Sequence, residues 1–240
     1  FMWTDVINLR DFYRSPLGEV ARRMVSRQIR ALWPQVSGLS LLGIGYATPY
    51  LQDFDSPAHP PMALMPAAQG VLHWPDDKPG LVALSNEALL PFPDNSIDRI
   101  LLVHALESSE QLRPMLREVW RILSENGRLL VIVPNRRGIW ARVETTPFGH
   151  GHPFTPGQIS RLMRDTMFTP LRGKRALFMP PLSSGLALAS APAWEKIGNR
   201  FLKGLAGVLL LEASKQIYAA APLADARQPV LSPFREDVSR

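Results

Sequence analysis

Leu90-Pro91-Phe92-Pro93-Asp94-Asn95-Ser96-Ile97-Asp98-Arg99-Ile100-Leu101-Leu102-Val103 is the stretch whose reading decides the fold. Two prolines and an Asp-Asn-Ser turn exclude a helix up to residue 96. From Ile100 the chain is apolar on consecutive residues, the pattern of a strand buried on both faces of a parallel sheet. Working outward, similar runs at 39–44, 62–65, 81–84 and 129–133 are separated by Gly, Pro and Asp. Between the last two strands, Leu112, Met115, Leu116, Val119, Ile122 and Leu123 recur at helical spacing, and Ser124-Glu125-Asn126-Gly127 reads as the turn that ends the helix. A strand, a helix and a parallel strand require a right-handed crossover.

Upstream, Ser15-Pro16 is a helix start, a hydroxyl cap before a residue whose missing N–H has no partner at that position anyway. An apolar stripe then runs from Leu17 to Leu32 and stops at Trp33-Pro34. The other face carries Arg23, Arg27 and Arg30, either a docking stripe or a solvated face. Downstream, the pattern predicts helices at 155–166 and 186–203, strands at 171–179 and 207–219, and a polar, Pro-interrupted tail from 223. The expected organisation is one α/β domain over 1–222, a mostly parallel sheet with helices on both faces, followed by the tail 223–240.

Composition narrows the function classes. With 240 residues, 46% of them hydrophobic and 20% charged, the chain can bury one sizeable core. It has no Cys, which removes disulfides, thiolate metal sites and cysteine nucleophiles. No apolar run approaches the roughly 18 residues of a membrane span. Asp5, Asn8, Arg10 and Asp11 interrupt the apolar core that a secretion signal needs, so a cytoplasmic location is expected. The net charge is +6. Arginine forks suit phosphate or carboxylate partners, but no basic stripe interleaved with aromatics is present, which argues against nucleic acid.

The first strand ends in Gly43-Ile44-Gly45-Tyr46-Ala47-Thr48-Pro49, a tight turn where backbone can approach a nucleotide-like ligand. Gly45→Val is expected to abolish binding there while the fold survives. Tyr46 and Tyr50 either close over a ligand or pack the turn. Asp94 and Asp98 read as caps of the turn before the fourth strand. Candidate bases near the expected mouth of the pocket are His104, His150 and His152; His104 follows that strand, as a base or as a hydrogen-bonded structural residue. Phe148-Gly149-His150-Gly151-His152 lacks a third ligand and does not read as a metal site.

Over positions 37–135 the sequence resembles the class I S-adenosylmethionine-dependent methyltransferases, in particular the ubiquinone/menaquinone biosynthesis C-methyltransferase branch. Gly43 and Gly45 match the family's glycine turn, 90–98 match its Leu-Pro-Phe loop, and 123–127 match the turn into the fifth strand with Asn126 for a Gly. The resemblance implies a three-layer Rossmann-like methyltransferase fold with an antiparallel C-terminal strand pair. It implies S-adenosylmethionine as cofactor, a small-molecule acceptor, cofactor contacts at Gly43, Gly45, Tyr46, Ala47, Met65, Asn86, Glu87 and Leu89, and His104 as the catalytic residue. Two of the family's acidic anchors are replaced by Leu41 and Met65, and Asn86-Glu87 stands near the third. A ribose diol without its acceptor loses hydrogen bonds worth about 1.5–3 kcal/mol each. A second expectation therefore stands beside the first: a methyltransferase-like module that has lost the cofactor and binds a partner protein.

Overall fold

The computed structural model describes residues 5–54, 56, 58–217 and 233–234. Two helices lead: α1 (Val6–Arg14), capped by Asp5, and α2 (Pro16–Leu32), capped by Ser15. They are followed by β1 (Leu41–Gly45), the single turn α3 (Thr48–Leu51), β2 (Met62–Pro66), β3 (Val82–Ser85) and β4 (Ile97–Val103). Then come α4 (Leu112–Ile122), β5 (Leu123–Pro134), α5 (Pro156–Asp165), β6 (Phe168–Ala176), α6 (Gly185–Ala189), α7 (Ala191–Phe201) and β7 (Val208–Lys215). The sheet has seven strands in the order β3-β2-β1-β4-β5-β7-β6. The strands β1 to β5 run parallel, and β7 inserts antiparallel between β5 and β6. The reversal of strand order between β1 and β4 opens the crevice where ligands bind in open α/β sheets.

Each face of the sheet carries its own apolar layer. One joins Met24, Val25 and Ile29 of α2 to Leu101, Val103 and Leu130. The other joins Met115, Leu116 and Val119 of α4 to Ile44, Ile100 and Leu102. The alternation along β4, Leu101 and Val103 to one layer and Ile100 and Leu102 to the other, explains why this strand is continuously apolar.

Several expectations are corrected. The helix α1 was not foreseen, because its buried stripe is only Val6, Leu9 and Tyr13. Residues 124–127 are not a turn: α4 passes directly into β5, with Leu123 already paired to Ile97. The helix expected at 186–203 is two, divided at Ser190, where Pro192 begins a new helix. The strand expected at 171–179 lies at 168–176. Asp98 and Asp94 do not cap a turn. Asp98 lies within β4 and accepts from Ser40 N at 3.0 Å, the Ser40 hydroxyl at 2.9 Å and the Ser124 hydroxyl at 3.1 Å. Burial would push this carboxyl up, but those hydrogen bonds outweigh it and hold it low. Asp94 pairs with Arg121, whose guanidinium also takes the Leu90 and Phe92 carbonyls and Glu118. The loop 90–94 is thus held by one arginine fork. Of the expected tail, only residues 233 and 234 fall within the described residues. Phe234 is buried against Gly173, and Pro233 O accepts from Gly173 N.

Glu195 of α7 points inward and accepts from Phe178 N at 2.7 Å. Burial pushes its carboxyl up to about 7, against the pull of the Phe178 and Leu177 amides and Arg27. An unfolded glutamate titrates near 4.3, so between that pH and 7 the folded chain binds the extra proton. Stability is then expected to fall by roughly 3 kcal/mol as pH rises across this window, and to level above it. Urea titrations of wild type and Glu195→Gln at pH 5 and 8 check this. The wild-type loss should disappear in the variant.

Candidate active site

At the carboxyl end of β1, Tyr46 N donates to Val103 O at 2.8 Å, drawing the turn tightly onto the end of β4. Gly45 makes this possible. Its φ is +83°, and a Cβ there would lie 2.2 Å from Val103 O. The contact is therefore with the chain itself, so loss of ligand binding in a Gly45→Val protein would report on the fold.

The next residue after β4, His104, has φ +51°, a left-handed conformation that a branched side chain avoids. This turn aims the imidazole inward, where it is 4% exposed. Nδ1 lies 3.1 Å from Glu107 Oε1, and Nε2 lies 2.9 Å from the Tyr13 hydroxyl. The Tyr13 hydroxyl is in turn 3.0 Å from that of Tyr50. A carboxylate can only accept, which places the ring proton on Nδ1 and leaves Nε2 to accept from Tyr13. Burial, followed by the neighbouring Tyr50, pushes the Tyr13 phenol well up, and burial pushes Tyr50 up too. Both are neutral hydroxyls available to relay a proton. Phe148 packs on the imidazole at 5.0 Å, and Tyr13 stacks on Tyr46 at 5.7 Å.

Two loops lock this turn. Gly151, at φ +72°, lies so close to Glu107 that a Cβ would be 2.3 Å from Glu107 O, and the adjacent His152 N donates to that oxygen at 2.8 Å. From the other side Gln69 Nε2 donates to His104 O at 3.1 Å. Two buried acceptors remain without a partner, Glu107 Oε2 and Gln69 Oε1. Both residues line a cavity of about 20 Å³, room for one water-sized group. An unpaired buried acceptor costs about 1–3 kcal/mol, so both call for a donor.

A larger cavity, about 690 Å³, opens beside the turn between α1, α2 and the 67–80 loop. Tyr13, Tyr46, Thr48 and Met65 line it with Arg10, Arg14 and Trp74. Burial moves the Tyr46 phenol up to about 12 even though Arg14 and Arg10 pull it down. A recess of about 200 Å³ lies between Pro66, Gln69, Asn86, Glu87 and Gln111.

The residues expected at the cofactor are therefore divided. Tyr46 and Met65 face the large cavity, whereas Asn86 and Glu87 face the recess. Asn86 Oδ1 accepts from Ala88 N, and Glu87 Oε1 accepts from Gln111 N. Ala47 is fully buried, Gly43 lies against Ala47 and Leu51, and Leu89 is 71% exposed and lines neither space. Tyr50 is buried in the core, so it packs the turn. The end of β2 offers only Met65 and Pro66, neither with a side chain able to accept from a ribose as a carboxylate would. Glu107, Tyr13 and Gln69 were not singled out from the sequence. The spacing of His104 and Glu107, three apart after a strand, was the signal for the first.

The strand order and the single antiparallel insertion are those of the Rossmann-like methyltransferase fold. Residues 67–131 match a family described as a methyltransferase domain. Among solved structures, an S-adenosylmethionine-dependent methyltransferase from Thermotoga maritima superposes with a TM-score of 0.61 at 16% identity, over 88% of this chain and 96% of that one. A Haloferax volcanii chain solved in complex with the Trm112 methyltransferase activator gives 0.59 at 14% identity, over 88% and 99%. Geranyl diphosphate C-methyltransferase from Streptomyces coelicolor, with S-adenosylhomocysteine, gives 0.54 at 16% identity, over 80% of each chain. At these identities the likeness is one of fold. No curated protein matches the chain.

Proposed function

We propose that the chain is a cytoplasmic S-adenosylmethionine-dependent methyltransferase acting on a small-molecule acceptor. The observation that carries this reading is the buried chain Glu107–His104–Tyr13, which starts at the switch point of the sheet and ends on the wall of a cavity large enough for a small molecule. Gln69 also borders the recess beside Asn86 and Glu87, where its side chain could contact a ligand in place of the carboxylate that β2 lacks. Asn86 and Glu87 border the recess that an adenine edge would enter. When bound, the cofactor supplies a methyl group already activated on a sulfonium. The protein's tasks are then positioning and removal of one proton.

Tyr13 is the residue of the chain that reaches the cavity. Its oxygen takes the acceptor's proton as its own passes to His104 Nε2, and Glu107 Oε1 steadies the imidazolium that forms. His104 therefore acts as a base through Tyr13, since both its ring nitrogens are already engaged within the protein. The 90–94 loop, which carries much of the likeness to the ubiquinone/menaquinone branch, serves Arg121 and gives no information on the acceptor.

Calorimetric titration with S-adenosylmethionine and S-adenosylhomocysteine tests the reading. Saturable binding at one site per chain is expected, and Gln69→Ala should weaken it about tenfold. One observation favours a second reading, a protein-binding module that has lost the cofactor: the Met65-Pro66 end of β2. Absence of heat with both ligands, in a folded protein, would give that reading the lead.

A further inference from the structure

The segment 180–207 departs from the surface chemistry of the rest of the protein. Leu186 is 89% exposed, Phe201 71%, Leu182 55% and Ile197 51%, although large apolar side chains are ordinarily inside. Within α7 the buried residues are Ala191, Glu195 and Gly198, and Trp194, Ile197 and Phe201 recur along a different side at i, i+3 and i+7. No element among the described residues covers that side.

Charge supplies the second observation. The segment contains Lys196, Arg200 and Lys203 against a single carboxylate, Glu195, and that carboxylate is buried against Phe178 N. Every outward charge on the segment is therefore positive. The neighbouring helix extends the field, since α2 packs against α6 and α7 and its exposed Arg27 acts electrostatically on Glu195. Arg23 lies one turn earlier on the same helix and is also exposed. Bulky apolar groups flanked by Lys and Arg on a helix match the chemistry of the boundary between lipid headgroups and acyl chains. Two copies of this chain meeting at this face would instead bring like charges together.

We propose that α6, α7 and the basic face of α2 form a docking surface for an anionic lipid bilayer, with Leu186, Ile197 and Phe201 inserted among the acyl chains and Arg23, Arg27, Lys196 and Arg200 at the headgroups. Among the described residues no helix is long and apolar enough to cross a membrane, and the attachment proposed is peripheral.

Co-sedimentation of the full chain with vesicles tests it. Phosphatidylcholine and phosphatidylglycerol in equal parts should pellet the protein, and phosphatidylcholine alone should leave most of it in solution. The double variant Ile197→Ser/Phe201→Ser should reduce binding at least tenfold, because two exposed apolar side chains no longer leave water. Neutralising Arg27 and Arg200 to Gln should reduce it about fivefold per charge, with a matching sensitivity to salt. All four side chains are exposed, so the variants should keep the wild-type circular dichroism. Three results would overturn the proposal: no pelleting with anionic vesicles, equal pelleting with both compositions, or a dimer in sedimentation equilibrium that Phe201→Ser dissolves. The last would assign the face to a second copy.

Discussion

Replacing Gly45 by alanine is expected to destabilise the protein by about 3 kcal/mol or more, lowering the melting temperature by roughly 6–12 °C for a chain of this size. Two costs add. An L-residue held at φ +83° loses about 1–2 kcal/mol, and its Cβ would sit 2.2 Å from Val103 O, which forces β1 and β4 apart where they are joined by hydrogen bonds. Thermal unfolding followed by circular dichroism checks this. A melting temperature within a degree of wild type would mean that the turn can relax and that its tightness is not structural. The same substitution at Gly157, where a Cβ meets nothing, is the control.

Removing one oxygen at Tyr13 is expected to have the largest effect on chemistry. Tyr13→Phe should lower turnover by roughly 10²–10⁴ with little change in cofactor affinity, because it cuts the relay between the cavity and His104. It also leaves Tyr50 and His104 Nε2 facing a gap, so stability should fall by about 1–3 kcal/mol. Tyr46→Phe separates the relay from the stacking, since Tyr46 lines the same cavity and stacks on Tyr13 but makes no contact with His104 Nε2. Once S-adenosylmethionine binding and an acceptor are in hand, equal turnover in wild type and Tyr13→Phe would remove Tyr13 from the mechanism.

The elements most legible in the sequence were those whose pattern follows from burial. The strand β4 is apolar on both faces because it lies mid-sheet, and α2 declares both its start and its end chemically, through Ser15-Pro16 and Trp33-Pro34. The site was legible only in its backbone. The glycine turn and the position of His104 followed from local pattern, but the partners of His104 did not. Tyr13 is 91 residues away, on a helix with a short apolar stripe, and nothing local marks it as facing a histidine. Gln69 belongs to a loop between β2 and β3 that has no helix, so its backbone path could not be placed by periodicity. Asp98 misled for the opposite reason. Its local context fits an Asx turn, and its partners are Ser40, just before β1, and Ser124 of the neighbouring β5.

The placement of β7 governs how the protein emerges from the ribosome. Among the described residues this strand is the last in sequence, yet it lies between β5 and β6, and β6 pairs with no other strand. Until residue 215 has left the exit tunnel, the edge of β5 is open and β6 can pair with nothing native. Glu212 of β7 holds the late join from within, accepting from Trp33 Nε1 at 2.9 Å and from Arg172 Nε at 2.7 Å, and Arg172 reaches on to the Leu32 carbonyl. The first helices and the final strand are therefore fastened by one carboxylate, and these contacts span most of the chain. A nascent protein stalled before β7 would carry an unpaired apolar edge, the kind of surface that recruits other chains. Vectorial synthesis thus delays completion of the described sheet until β7 has been made, and in the interval before it arrives the apolar edge of β5 stays open.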